Sequence, residues 1–292
     1  MFDIVCLTET KLDNLDIIED KDFIFLYKNR KKISNFKSGR IALGYKKELE
    51  NFIIPVETDS SFAFWFSVKK YFLELKKDLI SGIIYIPPEN SIYTSTDAIS
   101  EIELEYQKFN KNSNYICLVG DFNSRTANFI DFYEDLELSE LETNNLDVNE
   151  FSDVHILDEL CIPRYRNSPD NIVNRYGRKL LEFCKNNSMF ILNGRIGKDK
   201  TGRPTSKNSS VIDYMISTAH FLKLINDFEI LDFSKLFSDI HSPLSIILCS
   251  KIENCRLIGS SENKNSPKIG KWNNDKCAEF KENLSQEKIG DF

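Results

Sequence analysis

Short apolar runs separated by polar turns dominate the first third of the chain and predict closely spaced β-strands. The segments with this pattern are residues 3–8, 22–27, 41–46, 52–56, 62–68 and 79–86. The last of them ends in Tyr85-Ile86-Pro87-Pro88, where two prolines stop further strand pairing. Because helical spacing is scarce before residue 96, this region is predicted to be mostly sheet.

Helical periodicity appears later and alternates with further strands. Residues 96–109 carry apolar side chains at helical spacing, and residues 174–186 form the clearest helix, with leucines and a phenylalanine on one face. The later strands are expected at residues 115–119, 189–192, 211–217, 228–232 and 244–249. Strand clusters interrupted by helices fit two sheets packed face to face with helices outside.

The end of the chain differs in composition from the rest. Beyond residue 251 it is rich in Asn, Lys, Ser and Glu, which is typical of a weakly ordered segment. We therefore expect one domain over residues 1–250 and a polar linker or tail over residues 251–292, partly disordered or helical. The acidic stretch 131–150 is predicted to be a solvated loop or a short surface helix.

Composition narrows the class of protein. The chain is 41% hydrophobic and 28% charged, which suits a globular domain with a large core. No apolar run reaches the ~20 residues of a membrane span, and the acidic start Met1-Phe2-Asp3 does not resemble a signal peptide, so we expect an intracellular protein, nuclear or cytoplasmic. Seven cysteines without a Cys-x-x-Cys pair indicate neither a disulfide framework nor a structural zinc site.

The net charge is −7, which argues against a surface that is basic overall. It does not exclude a metal-dependent nuclease, because clustered acidic ligands belong to such a site and the bound ion offsets their charge.

The first candidate chemistry follows the strand at residues 115–119, which ends in Gly120-Asp121-Phe122-Asn123. Side chains alternate along an extended segment, so Asp121 and Asn123 face one way and Phe122 the other. A carboxylate and an amide at a strand end suit a hard metal ion and a phosphate. An Asx-rich turn after a strand explains this fragment equally well.

Other strands end in polar residues in the same manner, and together these segments resemble a known family. The matching segments are Leu7-Thr8-Glu9-Thr10, Tyr85-Ile86-Pro87-Pro88-Glu89-Asn90, Gly120-Asp121-Phe122-Asn123, Ser209-Ser210-Val211-Ile212-Asp213-Tyr214 and Ser238-Asp239-Ile240-His241-Ser242-Pro243. The chain resembles the endonuclease/exonuclease/phosphatase superfamily, and most closely the endonuclease domain of non-LTR retrotransposon proteins. Five motifs in the family order, over roughly residues 2–250, carry this resemblance.

The resemblance implies an α/β (α+β) fold of the four-layered α/β/β/α sandwich type. It also implies phosphodiester hydrolysis with Mg²⁺, with Mn²⁺ as a possible substitute. On the matching positions, Glu9 is the expected principal metal ligand and Asp239 a second carboxylate on the metal side. The alternative for Glu9 is a plain surface glutamate after a strand.

The resemblance assigns the remaining roles as follows. Asp121 is expected to bind or activate the attacking water, and Asn123 to position the phosphate. Tyr85 is expected to contact the phosphate or assist the leaving group. His241 is expected to stabilise the phosphoryl oxygens, oriented by the carboxylate of Asp213. Structural alternatives are a rim tyrosine at Tyr85 and a simple hydrogen-bond acceptor at Asp213.

Three departures from the family pattern are visible. The family's usual first strand, which carries an asparagine, and the helix after it are absent before the strand that leads to Glu9, so unpaired backbone is expected inside one sheet. Asp239-Ile240-His241 contains one residue more than the usual adjacent Asp-His, which is expected to turn one of the two side chains away. Arg40 stands where relatives tend to have glycine.

Two basic loops are candidates for binding DNA phosphates, although each is also consistent with a solubilising loop. Their candidate residues are Arg30, Lys31, Lys32, Arg40, Lys200 and Arg203. The resemblance thus predicts an endonuclease that nicks DNA, with a reverse transcriptase domain expected downstream in a full-length relative. The alternatives are a catalytically impaired transposon-derived fragment that at most binds nucleic acid weakly, and another phosphoesterase of the superfamily.

Overall fold

The computed structural model describes residues 2–10, 18–28, 40–134, 153–207, 210–235, 238 and 240–249. The strands are β1 (Ile4–Leu7), β2 (Phe23–Lys28), β3 (Ile41–Lys46), β4 (Ile53–Val56), β5 (Ala63–Val68), β6 (Leu79–Tyr85), β7 (Ile116–Asp121), β8 (Met189–Ile191), β9 (Asp213–Thr218), β10 (Ile225–Ile230) and β11 (Leu244–Leu248). The helices are α1 (Ala98–Asn110), α2 (Val154–Glu159), α3 (Arg175–Asn186) and α4 (Ala219–Leu222), with 3₁₀ turns at Lys47–Leu49 and Gly197–Asp199.

The largest element is a six-stranded sheet with the order β4-β5-β6-β7-β9-β8. Only β6 and β7 are parallel, and α1 is the crossover between them. The other neighbours in this sheet are antiparallel. As a result, the carboxyl ends of β6 and β7 lie at the same edge of the sheet, next to the start of β9.

Helices α1 and α3 cover one face of this sheet. Their buried side chains join the sheet in one apolar cluster, in which the Tyr106 and Phe183 rings meet edge to face with centroids 5.7 Å apart. The buried Glu105 of α1 accepts a 2.7 Å hydrogen bond from the Trp65 indole, which satisfies its charge inside the cluster.

Two smaller antiparallel sheets, β1-β3-β2 and β10-β11, pack on the opposite face. Strand β3 contacts β5 and β6, β1 contacts β7, and β11 contacts β9. Among the described residues β1 pairs only with β3 and β11 only with β10, so each has one edge without a strand partner. The α/β fold with two packed β layers is therefore confirmed.

Some element boundaries differ from the prediction. Strand β10 begins at Ile225 rather than Phe228, because pairing with β11 extends the strand through Asn226 and Asp227 with a bulge, despite their poor strand propensity. Strand β9 begins at Asp213 instead of Val211. Helices α2 and α4 were not predicted, and both are too short to show a clear periodicity.

Other predictions fall outside the described residues. These are most of the acidic stretch, namely 135–150, and the whole of the tail 251–292. The described part of the chain contains no helix that combines the length and the apolar character needed to cross a membrane.

One backbone position fixes how closely β6 and β7 approach. Gly120 has φ of 141°, and a Cβ atom there would lie 2.1 Å from the carbonyl oxygen of Ile84. An L side chain is therefore excluded both by the backbone conformation and by the space.

We expect Gly120→Ala to lower the free energy of unfolding by at least about 1–3 kcal/mol, since it adds a strained backbone conformation to a backbone clash. Urea unfolding followed by circular dichroism measures this loss. Gly44→Ala is the comparison, because its new methyl group meets the Phe25 ring, a side chain that can move. An equal or larger loss in Gly44→Ala would contradict this account of Gly120.

Candidate active site

The row of side chains that defines the site lies at the edge where β6 and β7 end. Tyr85 is directly opposite Asp121 in the parallel pair, and Asp121 is directly opposite Asp213 in the antiparallel pair. Neighbouring strands are about 4.8 Å apart, so strand pairing alone brings these three residues together. Their order in the chain, spread over more than 120 residues, does not show this proximity.

Asp121 and Asn123 form a compact unit at the end of β7. The backbone N–H of Asn123 donates to Asp121 Oδ1 (2.8 Å), and Asn123 Nδ2 donates to Asp121 Oδ2 (2.9 Å) and to the carbonyl of Ile86 (2.8 Å). Asn123 has φ of 48°, a conformation that asparagine tolerates better than most residues. Phe122 is buried on the opposite side against Tyr214, as the alternation predicts. In this arrangement the Asn123 amide orients the Asp121 carboxylate, and its contact with a phosphate stays a prediction.

His241 joins the two aspartates from the loop before β11. Its Nδ1 lies 2.9 Å from Asp213 Oδ2, and its Nε2 lies 4.0 Å from Asp121 Oδ2. One ligand atom from each of the three residues falls within 4.8 Å of the others. The extra residue in the Asp-Ile-His segment therefore does not remove the histidine from the site. Asp239 lies outside the described residues, so its predicted place on the metal side stays a prediction.

Thr205 is a site residue that the sequence analysis missed. Its Oγ1 accepts from the backbone N–H of Ile212 and of Asp213, both at 3.0 Å, and its carbonyl accepts from the N–H of Ser242. It thus ties the start of β9 to the loop that carries His241. The sequence shows Thr205 only as one polar residue of a basic loop, and nothing in the spacing distinguishes it.

Glu9 reaches the site from the second β layer. It follows β1 with φ of 54°, and its Oε1 accepts a short hydrogen bond from the Tyr85 hydroxyl. Glu9 is not one of the three residues of the compact cluster, but its charge acts on all of them. Tyr85 and Glu9 therefore join the two β layers at this edge.

The electrostatics of the site reflect crowded, buried carboxylates. Burial and the negative charge of Asp213 raise the pKa of Asp121 well above its usual range, and His241 offsets only part of this. Burial also raises the pKa of Asp213, against the hydrogen bonds from His241 and Thr205. Carboxylates held in this way are sites where added positive charge is favourable.

The pKa of His241 is raised, whereas burial alone would lower the pKa of a histidine. Burial lowers its pKa, but the hydrogen bond and charge of Asp213, with the charges of Asp121 and Glu9, outweigh burial and raise the pKa to about 9. The imidazole is therefore cationic at neutral pH in the metal-free protein.

The donor set fits a hard divalent cation. Glu9, Asp121 and Asp213 supply carboxylate oxygens, which Mg²⁺ prefers, and Mg²⁺ often uses only one or two carboxylates while keeping several waters. His241, held by Asp213, is better placed to act on an anionic substrate than to serve as a magnesium ligand. The predicted ligand Glu9 and the buried Asp121 remain the candidate metal residues.

Of the residues predicted to bind nucleic acid, some lie outside the described part of the chain and others have contacts that the structure shows. Arg30, Lys31 and Lys32 lie outside the described residues. Arg203 donates to the carbonyl of Ile230 and forms an ion pair with Asp232, which ties it to the end of β10. Lys200 is exposed. The backbone carbonyl of Arg40 accepts from the N–H of Thr10, the residue that follows Glu9 in the chain.

We expect the His241 imidazole of the metal-free protein to titrate near pH 9, because Asp213 stabilises its protonated form. NMR of the ring protons in EDTA measures this pKa. In Asp213→Asn the hydrogen-bonding charge is lost while burial remains, so the pKa should fall by at least one unit, roughly toward the ordinary 6.5 or below. A wild-type pKa near 6.5 would show that the pair does not form.

Similarity to solved structures extends over most of the chain. The endonuclease domain of TRAS1, a telomere-specific non-LTR retrotransposon, is 11% identical, with a TM-score of 0.53 over 84% of this chain and 85% of that one. A 3′-5′ exonuclease (NExo) from Neisseria meningitidis is 10% identical, with a TM-score of 0.51 over 85% of this chain and 89% of that one. A second structure describes NExo as a 3′ phosphatase bound to a product DNA hairpin, with the same TM-score and identity over 84% and 88% of the two chains.

No protein-family model matches the sequence, and no match was found among curated proteins. At such low identity the structural likeness establishes the fold and not the activity. The chain therefore has the fold seen in the TRAS1 endonuclease domain and in NExo, which agrees with the fold implied by the resemblance of its five motifs.

Proposed function

We propose that this protein is a metal-dependent phosphodiesterase that nicks DNA, with Mg²⁺ as the ion and Mn²⁺ as a substitute. The observation that carries the proposal is the cluster of Asp121, Asp213 and His241 at the sheet edge, beside Tyr85 and Glu9. A cationic histidine against buried carboxylates provides both signs of charge that phosphodiester hydrolysis needs.

The site residues form two groups, the negatively charged carboxylates and the cationic histidine. A divalent ion held by Glu9 and Asp121 would neutralise phosphoryl charge and lower the pKa of a bound water. On the protein side, Asp121 accepts the proton of the attacking water. The protonated His241 donates from Nε2 to a phosphoryl oxygen, and its ring is held in one orientation because Nδ1 donates to Asp213.

Tyr85 and Asn123 complete the arrangement. The Tyr85 hydroxyl donates its single proton to Glu9 in the metal-free protein. If Glu9 instead holds the metal ion, that proton becomes available to the phosphate or the departing oxygen. Asn123 keeps the Asp121 carboxylate in a fixed orientation, which preserves the position of its proton-accepting oxygen.

DNA is the proposed substrate because the TRAS1 domain is an endonuclease and NExo is seen with a DNA hairpin. The candidate phosphate contacts on this chain are Arg30, Lys31, Lys32, Arg40, Lys200 and Arg203. A reverse transcriptase domain downstream would fit this role, since nicked DNA offers a 3′ end for priming.

A second candidate is a transposon-derived fragment that keeps the fold and has lost catalytic activity. The pairing of β1 and β11 favours it, because within the described part of the chain each pairs on one side only, and Glu9 follows β1 while His241 precedes β11. The presence of nearly all the predicted site residues argues against it.

We expect the purified chain to nick supercoiled plasmid with Mg²⁺ and not with EDTA. Asp121→Ala should reduce the rate by about 10²–10⁴-fold, because the proton-accepting group and a metal ligand are lost together. Conversion of supercoiled to open-circular plasmid on a gel measures the rate. The control is Tyr71→Ala, an exposed residue beyond the opposite end of β6, which should keep the wild-type rate.

A folded, monodisperse wild-type sample that leaves the plasmid intact would contradict the endonuclease proposal and favour the impaired fragment. A parallel substrate, a DNA oligonucleotide with a 3′ phosphate, separates the two activities of the structural neighbours. Removal of that phosphate without plasmid nicking would identify a 3′-end-processing enzyme instead.

A further inference from the structure

A shallow cleft lies on the loop that follows the candidate catalytic residues. It is lined by Ala127, Asn128, Phe129, Ile130 and Asn171, with a volume of about 430 Å³. The Phe129 side chain is 61% exposed, although a phenylalanine in a soluble protein is usually buried. Ile172, beside Asn171 in the chain, is 52% exposed.

A buried arginine holds the backbone on which Phe129 lies. Arg166 is only 5% exposed, and its Nη2 donates to the carbonyls of Ala127 (3.3 Å) and Phe129 (3.0 Å) and to Thr126 Oγ1 (3.2 Å). Ala127 has φ of 46°, a conformation that costs free energy in a residue with a side chain. Such strain persists only where the surroundings fix it, and it is concentrated at ligand-binding sites.

The second wall of the cleft is fixed in the same way. Asn128 Oδ1 accepts from the backbone N–H of Ser168 (2.6 Å), and Thr126 forms a β-bridge with Val173. The segment that contains residues 127–130 is therefore tied to the segment around Asn171, which supplies the other lining residue of the cleft.

Hydrogen bonds of Asn174 connect the segment beside the cleft to the candidate active site. Asn174, directly after the second wall, donates from Nδ2 to the carbonyl of Asn123 (2.9 Å) and accepts from the N–H of Arg125 (2.8 Å). Phe129 is only six residues beyond Asn123, so the two lie within about 20 Å even for an extended chain. A polymer whose phosphate lies at Asp121 would thus have neighbouring units within reach of Phe129.

The side chains that line the cleft indicate which kind of chemical group could bind there. The lining residues supply one aromatic ring, aliphatic carbon and two carboxamides, and none of them carries a charge. A phosphate would find no cation among them, whereas a planar, neutral group with hydrogen-bonding edges would find a stacking surface and amide partners.

We propose that this cleft binds an unstacked nucleobase of the substrate strand, stacked on Phe129, a short distance along the chain from the scissile phosphate. This inference rests on the proposed function, since it presumes that the substrate is a nucleic acid. Base stacking on an aromatic side chain tolerates every base, so the contact adds affinity without strict sequence preference.

The test compares two single-stranded DNA oligonucleotides with the same number of phosphates, one with ordinary bases and one entirely abasic. Their affinities for the full chain are measured by fluorescence anisotropy in Mg²⁺, in an Asp121→Asn background that prevents cleavage. The wild-type cleft should favour the oligonucleotide with bases by roughly 5- to 150-fold, which is the effect of one stacked base. In Phe129→Ala this preference should fall to near unity, and in Phe129→Trp it should be kept.

The matched control is Tyr71→Ala, whose ring is equally exposed at 61% and lies beyond the far end of β6. It should retain the preference for bases. The salt dependence of binding should be the same in Phe129→Ala as in its parent, because no phosphate contact is removed.

Each remaining outcome counts against the inference. Equal affinity for both oligonucleotides in the parent, or a preference that survives Phe129→Ala, would overturn the base site and leave the proposed function standing. Failure of the parent to bind either oligonucleotide would overturn the base site, and failure of the wild-type chain to nick supercoiled plasmid would overturn the proposed function as well. Unchanged thermal unfolding of Phe129→Ala shows that the comparison is made on folded protein.

Discussion

The site depends above all on the close parallel pairing of β6 with β7. Gly120 allows the β7 backbone to lie against the carbonyl of Ile84, and this contact places Tyr85 beside Asp121. The antiparallel partner β9 then adds Asp213 in the same row. Three residues far apart in the chain become neighbours through main-chain hydrogen bonds alone, so their relative positions are as rigid as the sheet itself. The side chains that complete the site come from loops that are fastened to this row.

The second organising feature is charge in a confined space. Asp121 and Asp213 are almost completely buried, which raises the pKa of both, and the charge of Asp213 raises that of Asp121 further. His241 offsets part of both shifts, and the nearby carboxylates in turn raise its own pKa to about 9. A site of this kind is chemically incomplete by itself, and its excess of carboxylate over cationic groups suits a divalent ion.

Much of this could be predicted from the sequence because the relevant signals are local. The strand that ends in Gly-Asp-Phe-Asn, the prolines after Tyr85 and the amphipathic pattern of residues 174–186 each determine a nearby structure. The role of Thr205 could not be predicted, because it depends on a tertiary contact between two loops that leaves no periodic trace. The cleft at Phe129 could not be predicted from the sequence for a related reason. An isolated phenylalanine is ordinarily assigned to a core, and its exposure here is visible only in the folded structure, where Arg166 holds the backbone beside it.

The strand pairing of β1 and β11 affects how easily two of the site residues are displaced. Glu9 follows β1 by two residues and His241 precedes β11 by three, so both lie next to strands that pair on only one side among the residues the structure describes. Protein segments open in cooperative subglobal units, and strands with few hydrogen-bonded neighbours open at the lowest free energy. Asp121 and Asp213, in contrast, belong to the interior of the six-stranded sheet. The carboxylate row can therefore persist while its two flanking residues exchange between attached and detached states, so that the fraction of competent molecules is governed by local opening well below the global unfolding transition.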